Sequence, residues 1–309
     1  MKIHLYILTG LFLLGSGYTY AEKTTKASYT FVANEEGRIL PSDKFEELLE
    51  AAIKEIREDE RYDNFILFVH GRGQHPEKAY RKSLISDLES NYSAKVIMFN
   101  WPSWNGPLGF PEENARKSAK DFSLMLTRLK KYREDNQLSP DKIKFTLITQ
   151  SMGSIVLEES ILKHDCKLNG IFDMVVICSS ASSSANHAEW VNKIGLSDKI
   201  YITVNNNDHM LGRAGIKMKR RMLGKWLQTR DGNTFKLAQN AKYVDLTGAS
   251  LRHHYYLHKD LKKTPEAKSF FDEVLNGLPA SFNDGSAIKE INSDRRDTQG
   301  EPPTTARRF

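Results

Sequence analysis

The sequence predicts an α/β domain, a mostly parallel sheet with helices on both faces. Two observations lead there. Short apolar runs that are continuous instead of alternating recur along the chain, as strands buried on both faces require. Between them lie stretches whose apolar residues return every three or four positions, the mark of helices packing one face against a sheet. Of 309 residues, 39% are hydrophobic and 27% charged, which supports one sizeable core and excludes a mostly disordered chain. The mean hydropathy is −0.52 and only one long segment is apolar, so a polytopic membrane protein is excluded as well.

The elements follow in order. Phe45, Leu48, Leu49, Ala52, Ile53 and Ile56 share one helical face, with Asp43 and Glu46 placed as a start signal. The run Phe65-Ile66-Leu67-Phe68-Val69 reads as a buried strand that stops at His70-Gly71. A helix over 77–90 and the strand Val96-Ile97-Met98-Phe99 come next. Ala115, Ala119, Phe122, Leu126 and Leu129 then mark a long helix behind Pro111. A strand over 143–148, a helix over 152–162 and strands near 173–178 and over 200–204 complete the repeated pattern. A last short strand, Tyr243-Val244-Asp245-Leu246, precedes a helix at about 264–276. In such sheets ligands gather at the carboxyl ends of the strands, so chemistry is expected just after each one.

Both chain ends read differently from the middle. Lys2 precedes an apolar run from Leu5 to Leu14, and Thr19-Tyr20-Ala21 ends on a small residue just before Glu22. This describes a secretory signal peptide over 1–21, cut after Ala21, and an exported protein, periplasmic or secreted. The folded α/β domain is expected over 22–280. Beyond it, 281–309 is rich in Gly, Ser, Asn, Asp and Arg, which predicts a disordered tail. Export would permit disulfides, yet a strand separates Cys166 from Cys178. Its ends stand ~17–20 Å apart, beyond the ~7 Å that a bridge tolerates, so two free thiols are expected.

One constellation carries chemistry. Thr149-Gln150-Ser151-Met152-Gly153 follows a strand and opens an apolar helix. A Ser on such a turn stands above the sheet, and the N–H of the next residue, Met152, can face a developing oxyanion. A nucleophilic Ser needs an acid and then a His later in the chain. Asp208 follows the strand over 200–204, with Glu189 as the weaker substitute. His253 and His254 follow the last strand, and either could be the base. The loop His70-Gly71-Arg72-Gly73 could bring a second oxyanion donor, the N–H of Arg72 or a neighbour.

The segments Phe68-Val69-His70-Gly71-Arg72-Gly73, Phe99-Asn100-Trp101-Pro102-Ser103, Gln150-Ser151-Met152-Gly153, Asn207-Asp208-His209-Met210-Leu211 and His253-His254-Tyr255-Tyr256 together resemble a largely uncharacterised alpha/beta-hydrolase family over about 60–275. The resemblance implies a hydrolase-like fold, Ser151 as nucleophile and Asp208 as acid. It favours His253 as base, because the family's His stands two residues before an aromatic pair. Thr149 and Gln150 depart from it, standing where Gly-His is usual. An exported serine hydrolase acting on a small-molecule or lipid ester is the function implied, with no cofactor.

The formal charge of +6 has a location. From His209 to Arg230 no acidic residue occurs, while Arg213, Lys217, Lys219, Arg220, Arg221, Lys225 and Arg230 do. Ile216, Met222, Leu223 and Trp226 give this stretch an apolar side. A basic amphipathic helix fits contact with an anionic membrane; packed on the sheet, it would instead present a solvated basic face. The rival function is thus a catalytically silent module that binds an anionic or membrane surface through 213–230. No nucleic-acid reading module is recognisable. His254 and His258 have helical spacing without the Glu of a zinc-protease pattern, so no metal is expected. Trp101 and Trp104 either line a pocket or close the core.

Overall fold

The computed structural model describes residues 31–33, 39–74, 77–107, 109–139, 141–164, 168–249, 251–282 and 287–291. The expected signal peptide, Cys166 and residues 292–309 of the expected tail lie outside them. Nine strands form one sheet in the order β2-β1-β4-β3-β5-β6-β7-β8-β9 among the described residues. β3 (Asn64–Val69), β4 (Ala94–Asn100), β5 (Lys144–Gln150), β6 (Met174–Cys178), β7 (Ile200–Val204) and β8 (Lys242–Asp245) run parallel. β1 (Phe31–Ala33), β2 (Ile39–Pro41) and β9 (Lys289–Ile291) pair antiparallel at the edges.

The continuous apolar runs are explained by two cores. In β3, Phe65, Leu67 and Val69 enter one core while Ile66 and Phe68 enter the other. On the first face pack α1 (Phe45–Glu58), α3 (Glu112–Asp135), α4 (Gly153–Lys163), α5 (His187–Val191) and α6 (His209–Lys217). On the second pack α2 (Glu77–Asn91), α7 (His258–Leu261) and α8 (Pro265–Leu275). The α1 stripe buries Phe45, Leu49, Ala52, Ile53 and Ile56 as its periodicity requires. Asp43, the expected start signal, lies in the 3-10 turn just before it.

Two expectations need correction. The tail does not begin at 281: β9 extends the sheet beside β8, Ile288 is buried, and Gly248 approaches the carbonyl of Ala287 too closely to admit a Cβ. A three-residue edge strand carries too few apolar positions to show a period in sequence. Nor is the basic stretch one helix. α6 ends at Lys217, and Met222 and Leu223 are buried beyond it, with Met222 bridged to Ser183. Its cations are partly drawn into the fold: Arg220 pairs with Glu112, and buried Lys225 donates to the carbonyl of Asn206.

The order of the central strands places the chemistry. From β3 the chain crosses to β4 on one side, and from β5 it proceeds to β6 on the other, so β3 and β5 flank the point where the winding reverses. Ligand sites of open α/β sheets form there, outside the carboxyl ends. At that point α4 lies against the end of β3, and a Cβ on Gly153 would stand 2.3 Å from the carbonyl oxygen of Val69.

Gly153→Ala is therefore expected to lower stability by about 3 kcal/mol, the upper range for overpacking, measured by urea unfolding. His70, at the end of β3, is buried, and that burial pushes its pKa down to about 4. The unfolded chain takes up the proton first, so this contribution to stability is lost as pH falls from about 6.5 toward 4. Wild-type protein is expected to lose roughly 2 kcal/mol more between pH 7 and 5 than a His70→Asn variant, measured by the same unfolding.

Candidate active site

Ser151 sits between β5 and α4 with φ of 52°, the left-handed conformation that a sharp strand-to-helix turn demands. The turn is held from both sides: Ser151 N–H donates to the carbonyl of Cys178, and Ala181 N–H donates to the carbonyl of Ser151, each at 3.0 Å. Beneath it, Ser154 Oγ donates to the same carbonyl at 2.7 Å and bonds to Ser180 and Ser182. The serine-rich stretch after β6 is thus a buried hydrogen-bonded bed for the turn. No periodicity marks it in the sequence, although seven consecutive residues of small or hydroxyl type, 179–185, at a strand end are a usable signal. Cys178 itself is a free, buried thiol, as expected for that cysteine.

The expected acid and base meet. His253 Nδ1 donates to Asp208 Oδ2 at 2.6 Å, and the Asp208 side chain is fully shielded from solvent. Asp208 is also the N-cap of α6, its Oδ1 accepting from Leu211 N–H at 2.9 Å. Burial raises its pKa, but the hydrogen bond and charge of His253, the Leu211 N–H and nearby Lys225 outweigh it and hold the carboxyl below its usual range. His254 takes no part in this pair. It stands edge-on to His253, and burial pushes its pKa down to about 4. Glu189 is exposed on α5 and is not among the residues lining the cavity described below.

The loop carrying His253 is anchored by its neighbours. Tyr255 OH accepts from Ser179 N–H at 2.8 Å and bonds Thr203 at 2.7 Å. Ser179 Oγ donates to the carbonyl of His253 at 2.8 Å, and Asn205 Nδ2 to that of Leu251 at 2.9 Å. The aromatic pair after His253 is fully buried, so its Tyr255 serves as an anchor against the ends of β6 and β7.

Gln150 is the unforeseen member. It is buried, and its side-chain amide lies 3.0 Å from His253 Nε2. With Nδ1 donating to Asp208, Nε2 is the acceptor and the amide donates to it. No hydrogen bond joins Ser151 Oγ to His253 among the described residues; resting sites often have this bond unmade. The departure from the family pattern at Gln150 therefore leaves the turn intact and changes what touches His253. Gly71 makes room for both residues: a Cβ there would stand 2.2 Å from Gln150 Oε1 and 2.7 Å from Ser151 Cβ.

Ser151, His253, Met152 and Arg72 line one cavity of about 350 Å³, together with Phe110, Ala181, Met210, Leu211, Arg213, Ala214 and Lys217. Met152 is the N-cap of α4, so its N–H has no partner inside the helix. The Arg72 guanidinium donates to the carbonyls of Gly106 at 2.8 Å and Pro107 at 2.6 Å and lies over Trp104, tying the loop after β3 to the loop after β4. Trp101 is buried, stacks on His70 and donates to its carbonyl at 2.8 Å. It closes the core beneath the loop and is not among the residues lining this cavity.

Comparison with solved structures gives distant likenesses. ESTFA in its iron-lacking apo form is 14% identical with a TM-score of 0.37, over 70% of this chain and 75% of that one. An esterase/lipase from an uncultured bacterium is 13% identical at 0.33, over 69% and 74%. A Pyrobaculum calidifontis esterase is 14% identical at 0.35, over 70% and 76%. Comparison with curated proteins finds no match. The model of one family, described as alpha/beta hydrolase of unknown function (DUF900), matches residues 45–259. That span holds the six parallel strands and every residue of the cavity, and the chain belongs to this family of alpha/beta hydrolases.

Proposed function

We propose that the protein is an exported serine hydrolase that cleaves an ester through Ser151, His253 and Asp208. The observation that carries the reading is the 2.6 Å contact of a shielded carboxylate with His253, whose ring shares a cavity with a Ser held in the left-handed turn. Export rests on the pattern over 1–21 in the sequence.

In this reading Ser151 Oγ attacks the ester carbonyl carbon and passes its proton to His253 Nε2. Asp208 keeps Nδ1–H in place and stabilises the imidazolium that forms. The carbonyl oxygen, now negative, is held by N–H groups of Met152 and the Arg72 loop. The C–O bond breaks, the alcohol leaves with the proton from His253, and an acyl group remains on Ser151. Water, deprotonated by His253, then attacks that acyl carbon and frees the acid and Ser151. Before the first step the Gln150 amide must leave Nε2, because one lone pair cannot accept from both Gln150 and Ser151.

Labelling by a fluorophosphonate probe tests the chemistry. The folded protein is expected to label, and Ser151→Ala to abolish labelling and ester turnover together; an unlabelled folded protein favours a silent module that binds a surface through 213–230. His253→Ala is expected to reduce turnover by at least a thousandfold while His254→Ala does not, measured as kcat on a p-nitrophenyl ester. Gln150→Ala is expected to raise the labelling rate about fivefold, the worth of one net hydrogen bond of ~1 kcal/mol; an equal or slower rate means that Gln150 supports the base instead of occupying it.

A further inference from the structure

Resting on the hydrolase reading, we infer that the ester this cavity accepts carries an anionic group, a carboxylate or phosphate held by Arg213 and Lys217 while Ser151 meets the carbonyl. Three cations line the cavity beside Ser151: Arg72, whose guanidinium is held by the carbonyls of Gly106 and Pro107, and Arg213 and Lys217 on α6. Arg213 and Lys217 stand four residues apart on α6, hence on one face, and both line it. Lys217 Nζ lies 4.8 Å over the ring of Phe110, which lines the same cavity.

The balance of charge in the cavity is one-sided. No Asp or Glu lines it among the described residues, and Asp208, the carboxylate next to it, is turned inward to His253 and shielded. Arg213 forms no ion pair among the described residues. Its neighbours in the basic stretch differ: Arg220 is held by Glu112 and the carbonyl of Ala181, and Lys225 by the carbonyl of Asn206. Of the seven cations of this stretch, Arg220 and Lys225 fasten the chain after α6, and Arg213 and Lys217 line the cavity. Phe110, Met210 and Ala214 give the rest of the wall an apolar surface. A short apolar span ending in an anion matches this lining, the span on the apolar wall and the anion at the cations of α6, where the charge of the cavity concentrates anionic substrate.

The test compares matched esters on the full chain at low ionic strength. One arm sets mono-p-nitrophenyl glutarate against p-nitrophenyl valerate, where the carboxylate is on the acyl side. A second sets a monoacylglycerol phosphate against the corresponding monoacylglycerol, where the phosphate is on the alcohol side. We expect kcat/KM to favour the anionic member at least tenfold in one arm, and that arm identifies the source of the anion. The preference is expected to fall at least fivefold in Arg213→Glu and in Lys217→Glu, and with added salt. Hydrolysis of the neutral esters with no anionic preference in either arm overturns this inference and leaves the serine hydrolase standing. A preference that survives both charge reversals also overturns it. Absence of both hydrolysis and fluorophosphonate labelling in folded protein overturns the hydrolase reading and this inference with it. Both substitutions fall on exposed helix positions, and the circular dichroism of each variant establishes that it folds.

Discussion

Everything at this site depends on one strained residue, Ser151, held at φ of 52°. A left-handed conformation costs a residue with a side chain roughly 1–2 kcal/mol, and it persists only where the surroundings over-determine it. They do so here by direct backbone bonds to Cys178 and Ala181 and by glycines where no Cβ fits. Gly153 lets α4 start against the end of β3, and Gly71 lets the loop after β3 pass over the turn. The result is that the hydroxyl, the first N–H groups of α4 and the loop after β3 converge on one cavity. Replacing any of the three packing partners would move the others, because the close approach is mutual.

Asp208 and His253 are held by the same kind of mutual arrangement. Asp208 satisfies a helix N-terminus with one oxygen and His253 with the other, so the start of α6 and the orientation of the imidazole are one event. α6 in turn supplies the cationic wall of the cavity. The loop after β8 is fastened by Tyr255 to β6 and β7, and by Asn205 to the loop that bears Asp208. Three strand ends are thereby locked to one another through buried polar groups, each with a partner, which is the condition under which burying them is tolerable.

Much of this was legible before any coordinates. Continuous apolar runs located the six parallel strands to within a residue or two, because a strand buried on both faces has no polar alternation to blur it. Ser151, Asp208 and the His253-His254 pair stand out as candidates by their positions after strands and their order along the chain. The edge strands β1, β2 and β9 were missed, being three residues each. The basic stretch was read as one helix, and its interruption after Lys217 comes from Met222 and Leu223 entering the core.

Periodicity and strand-end position are local properties, carried by residues a few places apart, and they are what the chain order alone establishes: the sheet, its helices and three candidate groups in sequence. The partnership of those groups is not local. Gln150 meets His253 across 103 positions of chain, and His253 chooses Asp208 across 45. Two adjacent histidines look alike in sequence; only when β5, β6, β7 and β8 lie side by side does one ring point at the carboxylate while the other turns edge-on. The amide on Nε2 and the cationic wall belong to that second class too, since a side chain's direction follows from the neighbours it is packed against and not from its place in the chain.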